Sequence, residues 1–243
     1  MTLTYYKFLH DDMIPVGIEY HEGLNIDDKS IFKVPNAPAG IHFTTFEHLW
    51  SYYDLKGDYI REVTIPDGAN TYHNIRSSAV MSDKVILGPK IIFEEMQEWS
   101  DTSQCELAVK NHGLALQFVK EDIMTSELCY LAIKQNGGAL QFVPDEFRTY
   151  ELCEYAVIQN GSALQYVPVK LRTPTLCEYA VIQNGSVLQF VPNESRTPKL
   201  CEFAVIRDGT ALQFVPDKFQ TPALCELAKR QNTKLYKQFF CAL

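Results

Sequence analysis

The chain has 243 residues, 46% of them hydrophobic, and a formal net charge of −8. There is apolar material for one or two packed domains, while acid interspersed with base argues against a generic nucleic-acid surface or a polybasic membrane anchor. No stretch is long and apolar enough to span a bilayer, and Met1–Lys7 lacks the plan of a secretory signal, so an intracellular, non-secreted protein is expected.

Residues 1–89 read as a small α+β domain. They hold His10, His21, His42, His48 and His73 and no cysteine. Tyr5–Leu9 reads as a strand. Gly17–Gly23 is a short strand or turn, followed by a loop through Asn25–Asp28, and Val34–Gly40 is a loop. Gly40–Thr44 is a strand and Thr45–Tyr53 an amphipathic helix capped by Thr45. Tyr59–Ile65 alternates apolar and polar residues, the pattern of a half-buried strand. Pro66–Gly68 turns the chain, Asn70–His73 and Lys84–Leu87 are further strands, and Gly88–Pro89 is the expected hinge.

From residue 90 to the C-terminus the pattern changes. Cys105, Cys129, Cys153, Cys177, Cys201 and Cys225 recur every 24 residues, and a fixed period of that length marks an all-α solenoid of stacked helix-turn-helix units. In one copy, Thr173 suits the N-cap and Pro174 the first helical position. Leu176, Cys177, Ala180 and Val181 share one helical face. Asn184–Gly185 reads as the stop, with the glycine left-handed. Ser186–Val191 is a second, shorter helix ended by Pro192. Segments 90–101 and 233–243 are expected to cap the array, the first as the second helix of a partial repeat, with no strand anywhere in this half. Neighbouring stacked helices lie too far apart for their cysteines to bridge, and no ligands cluster in zinc-like pairs. Six cysteines are therefore expected as small, reduced core residues, with no metal and no cofactor, and Cys241 is the one expected to be exposed.

Three further sets recur in phase. Gln117, Gln141, Gln165, Gln189 and Gln213 read as amides satisfying turn carbonyls or as a ladder for peptide backbone. Arg148, Arg172 and Arg196 read as partners of nearby acids such as Glu146 and Glu194, or as a site for an acidic ligand. Tyr155, Ile158, Tyr179, Ile182, Phe203 and Ile206 lie on the arc opposite the core face, with Glu154, Glu178 and Glu202 beside them. Lys110, Lys134 and Arg230 replace the isoleucine towards the ends. These apolar residues either fill grooves between helices or form a stripe that docks a partner.

The repeat phrase, clearest at 152–168, resembles short helical repeats of proteins from giant amoeba-infecting viruses of the mimivirus type. The front phrases Glu19–Ile26, Gly40–Thr44, Gly57–Pro66 and Lys84–Gly88 are similar to a domain that precedes repeat arrays in the same viruses. The resemblance implies a viral protein in the host cytoplasm or the virion. A fainter resemblance links Gly23–Ile26, Gly40–Phe43 and Ile60–Ile65 to the ADP-ribosyltransferase core, which implies a degenerate site at His21, His42 and Asp83. His42 and Asp83 depart from the residues of that family.

The expected function is a non-catalytic scaffold that binds a host or viral protein, or a second copy of this chain, through the array. No nucleic acid or membrane partner is expected. Two alternatives stay open: an enzyme with the transferase-like N-terminal site, and a self-assembling structural component of the virus.

Overall fold

The structure is a computed structural model that describes residues 4–9, 20–26, 41–49, 59–73 and 79–231. The chain divides into two compact units, Met1–Ile123 and Met124–Leu243.

The first unit is built on a seven-stranded antiparallel sheet: β1 (Tyr5–Leu9), β2 (Gly23–Ile26), β3 (Ile41–Thr45), β4 (Tyr59–Thr64), β5 (Thr71–His73), β6 (Val80–Ser82) and β7 (Lys84–Ile92), in the order β2-β7-β4-β1-β3-β6-β5. Alternation decides the faces. Ile41, Phe43, Val63, Val80, Val85 and Leu87 form one buried cluster, with Tyr5, Tyr20 and Ile65 packed on it. The short helix α1 (Phe46–Leu49) begins where Thr45 was expected to cap it. The expected continuation to Tyr53, the Val34–Gly40 loop and the first part of the Gly17–Gly23 element lie outside the described residues.

Four local expectations are corrected. Gly23–Ile26, read as the end of a short strand or turn and the loop that follows it, is the edge strand β2, paired with β7 through Leu24↔Ile86 and Asn25↔Val85. Val80–Ser82 is a strand that the sequence reading missed. The expected hinge at Gly88–Pro89 lies inside β7, and Lys90–Ile92 is strand rather than array. A bulge explains why proline is tolerated there. Arg61 pairs with Lys90 but Val63 with Leu87, so β7 carries one extra residue at the position where Pro89 has no N–H to donate.

The chain leaves the sheet through two 3-10 turns, Phe93–Glu95 and Gln97–Ser100, and enters α2 (Thr102–Asn111). The second turn stands 24 residues before the turn at Glu121–Ile123, in phase with the connector that follows the second element of a repeat, whereas Lys90–Ile92, expected within that second helix, is strand. Trp99 is buried against Phe46, Phe93 and Phe118, and its indole N–H donates to the Phe93 carbonyl.

The second unit repeats one design in α3 (Ser126–Gln135), α4 (Tyr150–Gln159), α5 (Pro174–Gln183), α6 (Pro198–Arg207) and α7 (Pro222–Gln231). Thr173 Oγ1 accepts the Leu176 N–H at 3.3 Å, and Thr149 and Thr197 act alike. Leu176, Cys177, Ala180 and Val181 are buried, as their spacing requires. The fold class read from the sequence, an α+β front followed by a helical array of 24-residue units, is the one observed.

The second element of each repeat is a 3-10 helix, as at Gly185–Phe190. It is only six residues long and is closed by proline, which suits i→i+3 bonding. The Asn-Gly reading is also corrected. Asn184 is extended at φ −140°, and its side chain accepts the Ser186 N–H at 3.1 Å, so it starts the second element as well as ending the first. Among the described glycines, positive φ belongs to Gly23 and Gly68 alone. The repeat glycines are required by close approach instead. A Cβ on Gly161 would stand 2.7 Å from the Ala180 carbonyl oxygen of the next helix, and one on Gly137 would stand 2.6 Å from that of Ala156.

Candidate interaction surface

The repeat polar groups that could have bound a ligand are engaged within the array. Gln165 donates to the Ser162 carbonyl at 3.2 Å, and Gln141, Gln189 and Gln213 make the equivalent bond in their own turns. Arg172 donates through Nε to Val167 O at 2.8 Å, through one terminal nitrogen to Phe190 O at 2.6 Å, and through the other to Gln165 O at 3.2 Å. Arg196 repeats the pattern. Arg148 holds Val143 O and Tyr166 O and pairs with Asp145 at 2.9 Å. The expected pairing with Glu146 and Glu194 is therefore replaced. These guanidiniums staple the carbonyl ends of successive 3-10 helices, which a planar fork of donors does well.

A set that the sequence reading missed does the same for the α-helices. Gln183 Nε2 donates to Val157 O and Ile158 O, at 3.1 and 2.8 Å, while its Oε1 accepts the Gly161 N–H at 2.8 Å. Gln159 bridges the Gly137 N–H and Lys134 O, and Gln231 reaches Ile206 O. The glutamine that follows the variable Ile/Lys position was the available signal.

The cysteines are chemically quiet. Cys129, Cys153 and Cys177 are buried and unpaired, and burial pushes each thiol up to about 11. Cys225 is half-buried, and Cys241 lies outside the described residues.

The outer arc of the helices remains. Tyr155, Ile158, Tyr179, Ile182 and Ile206 are all exposed, Ile158 by 54% and Tyr179 by 46%. Phe203 is half-buried beneath the Lys199 ammonium, 5.6 Å from its ring. Tyr130 extends the set, with its ring 6.2 Å from that of Tyr155. Glu178, Glu202 and Glu226 are exposed beside these residues. Consecutive helices thus carry a run of exposed aromatic and aliphatic side chains edged by carboxylates.

In the first unit the three residues of the transferase-like reading are differently placed. His21 is exposed, and its backbone N–H and C=O are both held by the Asn25 side chain. His42, on β3, is half-buried; burial and then the Lys7 charge hold its imidazole below the usual range. Asp83 accepts the backbone and side-chain N–H groups of Asn70, each at 2.8 Å, and so closes a turn. No hydrogen bond or ion pair joins the three among the described residues. Neither do any three His, Cys, Asp or Glu residues cluster to hold a metal among them, and no described helix is long and apolar enough to cross a membrane.

The repeats match a family described as a domain of unknown function (DUF4116), over residues 105–148, 125–172 and 149–196. The chain is also 29% identical over 101 residues to a protein of Acanthamoeba polyphaga mimivirus named as an ankyrin repeat protein. That match takes in 39% of this chain, which spans about half (50%) of the length of that relative. The chain is therefore similar to a giant-virus repeat protein. No solved structure matches it.

Proposed function

We propose that this protein is a non-catalytic scaffold of a giant virus whose repeat array binds a host or viral protein. The array follows the sheet-bearing module and acts in the host cytoplasm or in the virion. The observation that carries this reading is the exposed run Tyr155, Ile158, Tyr179, Ile182 and Ile206 on successive helices. Stacked repeats present extended surfaces of this kind, and contiguous exposed apolar patches mark interaction sites. The in-phase Gln and Arg side chains are occupied within the array, which leaves this arc as the recognition face. Its carboxylate edge favours a partner with apolar anchors flanked by lysine or arginine. The similarity to a protein named for ankyrin repeats supports the same class of role.

A photoreactive benzophenone residue in place of Tyr179 tests the reading. In amoebal extract it should give one discrete adduct, with an extract protein or with a second copy of the chain. The same probe at Val169, exposed in the short 3-10 turn between repeats, should not give it. Equal adducts at both positions would contradict the proposed face.

A further inference from the structure

The outer arc of the second unit is periodic in two properties at once, and the period restricts the shape of what can lie along it. Two residues past each repeat cysteine stand Leu131, Tyr155, Tyr179, Phe203 and Leu227, an apolar side chain on every helix from α3 to α7. One residue past it stand Glu154, Glu178, Glu202 and Glu226, with Tyr130 in place of the acid on α3. Glu154 accepts from the Tyr150 hydroxyl at 3.1 Å, and Glu226 lies 3.9 Å from Lys229. Glu178 and Glu202 are exposed and have no ion-pair partner among the described residues. The phenol hydroxyls of Tyr155 and Tyr179, both exposed, make no hydrogen bond among them either. The Lys199 ammonium already covers the Phe203 ring, so these two tyrosines are the open platforms of the row.

The interval between repeats is short. Gln183 on α5 donates directly to the Val157 and Ile158 carbonyls of α4, at 3.1 and 2.8 Å, and Gln159 and Gln231 tie their helices to the preceding ones in the same way. One amide side chain that closes on a neighbour's backbone holds the two axes at the ordinary packing distance, about 8–10 Å. The apolar row and the acidic row both repeat at that interval.

Three peptide conformations can be laid along such rows. A β-strand binds through a free backbone edge, which packed helices lack, and its residues three apart, about 10 Å, point to opposite faces. An α-helix returns to one face every seven residues, about 10.5 Å, and its stripe drifts by about 20° at each return. It therefore leaves the rows within a few repeats. A polyproline II helix returns every three residues, about 9.3 Å, with no such drift. Its backbone carbonyls are unpaired and can accept from tyrosine hydroxyls, and aromatic side chains are its usual platform.

Resting on the reading of this arc as the recognition face, we infer that its partner is a proline-rich segment in the polyproline II conformation with a basic residue at every third position. One column of the segment packs its prolines on Tyr155 and Tyr179. The adjacent column sets its cations against Glu178 and Glu202. The rigid segment loses little conformational freedom on docking, which suits a surface that offers one platform per repeat.

The test uses the full chain and a fluorescein-labelled peptide of consecutive Pro-Pro-Arg triplets, followed by fluorescence anisotropy. The peptide should bind. Rearranging the same residues into a proline block and an arginine block should weaken binding by about tenfold, and so should Tyr179→Ala, which removes an aromatic anchor. Glu178→Gln should weaken it to a lesser degree. Tyr72→Ala, at an exposed position on β5 in the first unit, should leave it unchanged. The triplet peptide should also suppress the adduct formed by benzophenone at position 179 in amoebal extract. Suppose that adduct forms, yet the triplet peptide fails to bind, or binds no better than the block peptide or a helical peptide with leucine at every seventh position. The face then stands and the polyproline inference is overturned. Absence of any adduct at position 179 would remove the face itself, and this inference with it.

Discussion

Replacing Gly161 by alanine should destabilise the array by about 2–3 kcal/mol, the cost of overpacking a tight interface. The backbone at this position is not left-handed, so an alanine would meet no conformational obstacle and would even gain slightly from a less flexible unfolded chain. The obstacle lies in the next repeat. The new methyl would stand 2.7 Å from the Ala180 carbonyl oxygen and 2.9 Å from the Gln183 Cβ. Relief requires the two repeats to separate, which also strains the Gln183 bonds to Gly161, Val157 and Ile158. Gly138→Ala is the matched control. A Cβ there meets the Asn136 side chain at 3.0 Å, and the equivalent positions already carry Ser162, Ser186 and Thr210. Urea midpoints should fall for Gly161→Ala and stay level for Gly138→Ala. Equal behaviour of the two would remove close approach as the reason for the glycine.

The array should also lose stability in mild alkali. The thiols of Cys129, Cys153 and Cys177 are pushed up to about 11 by burial, against an ordinary value of 9.0 in the unfolded chain. Below pH 9 both states keep these protons and the thiols contribute fully. Between pH 9 and 11 the unfolded chain releases protons that the folded one retains, so stability falls as pH rises. At about 1.4 kcal/mol per unit, each thiol accounts for about 2–3 kcal/mol across the window. The urea midpoint should therefore be lower at pH 10.5 than at pH 8. The triple variant Cys129→Ala, Cys153→Ala, Cys177→Ala should lose a large part of that slope, with Cys105 and Cys201, whose thiols burial also raises, keeping the rest. An unchanged slope in the variant would show that the thiols do not set it.

What could be read beforehand was what depends on near neighbours in the chain. The threonine caps, the proline starts, the buried face at Leu176, Cys177, Ala180 and Val181, and the period itself follow from local spacing. The errors share one cause, which is that the deciding partner lies a repeat or a strand away. Asn184–Gly185 has the local chemistry of a left-handed stop, but its glycine answers to a carbonyl in the next helix. Arg196 sits two residues from Glu194 in sequence and reaches the Phe214 carbonyl in space. Gln183 looks like a surface residue at a helix end, yet it joins two repeats. In the sheet, the pairing of Lys7 with Arg61 is a matter of register, and the bulge at Gly88–Pro89 could not be placed before β4 and β7 were aligned. The stripe was legible as an arc of the helical wheel, but the choice between groove filling and exposure needed the neighbouring helices in place.

The most direct test of the scaffold reading is Ile182→Asp in the full chain, measured for thermal midpoint and for the partner crosslinked from position 179. Ile182 is 38% exposed on a helix whose buried face is elsewhere, so the account predicts an unchanged midpoint with the partner adduct lost. A variant that melts early, or one that stays folded and forms the same adduct in the same yield, would contradict it.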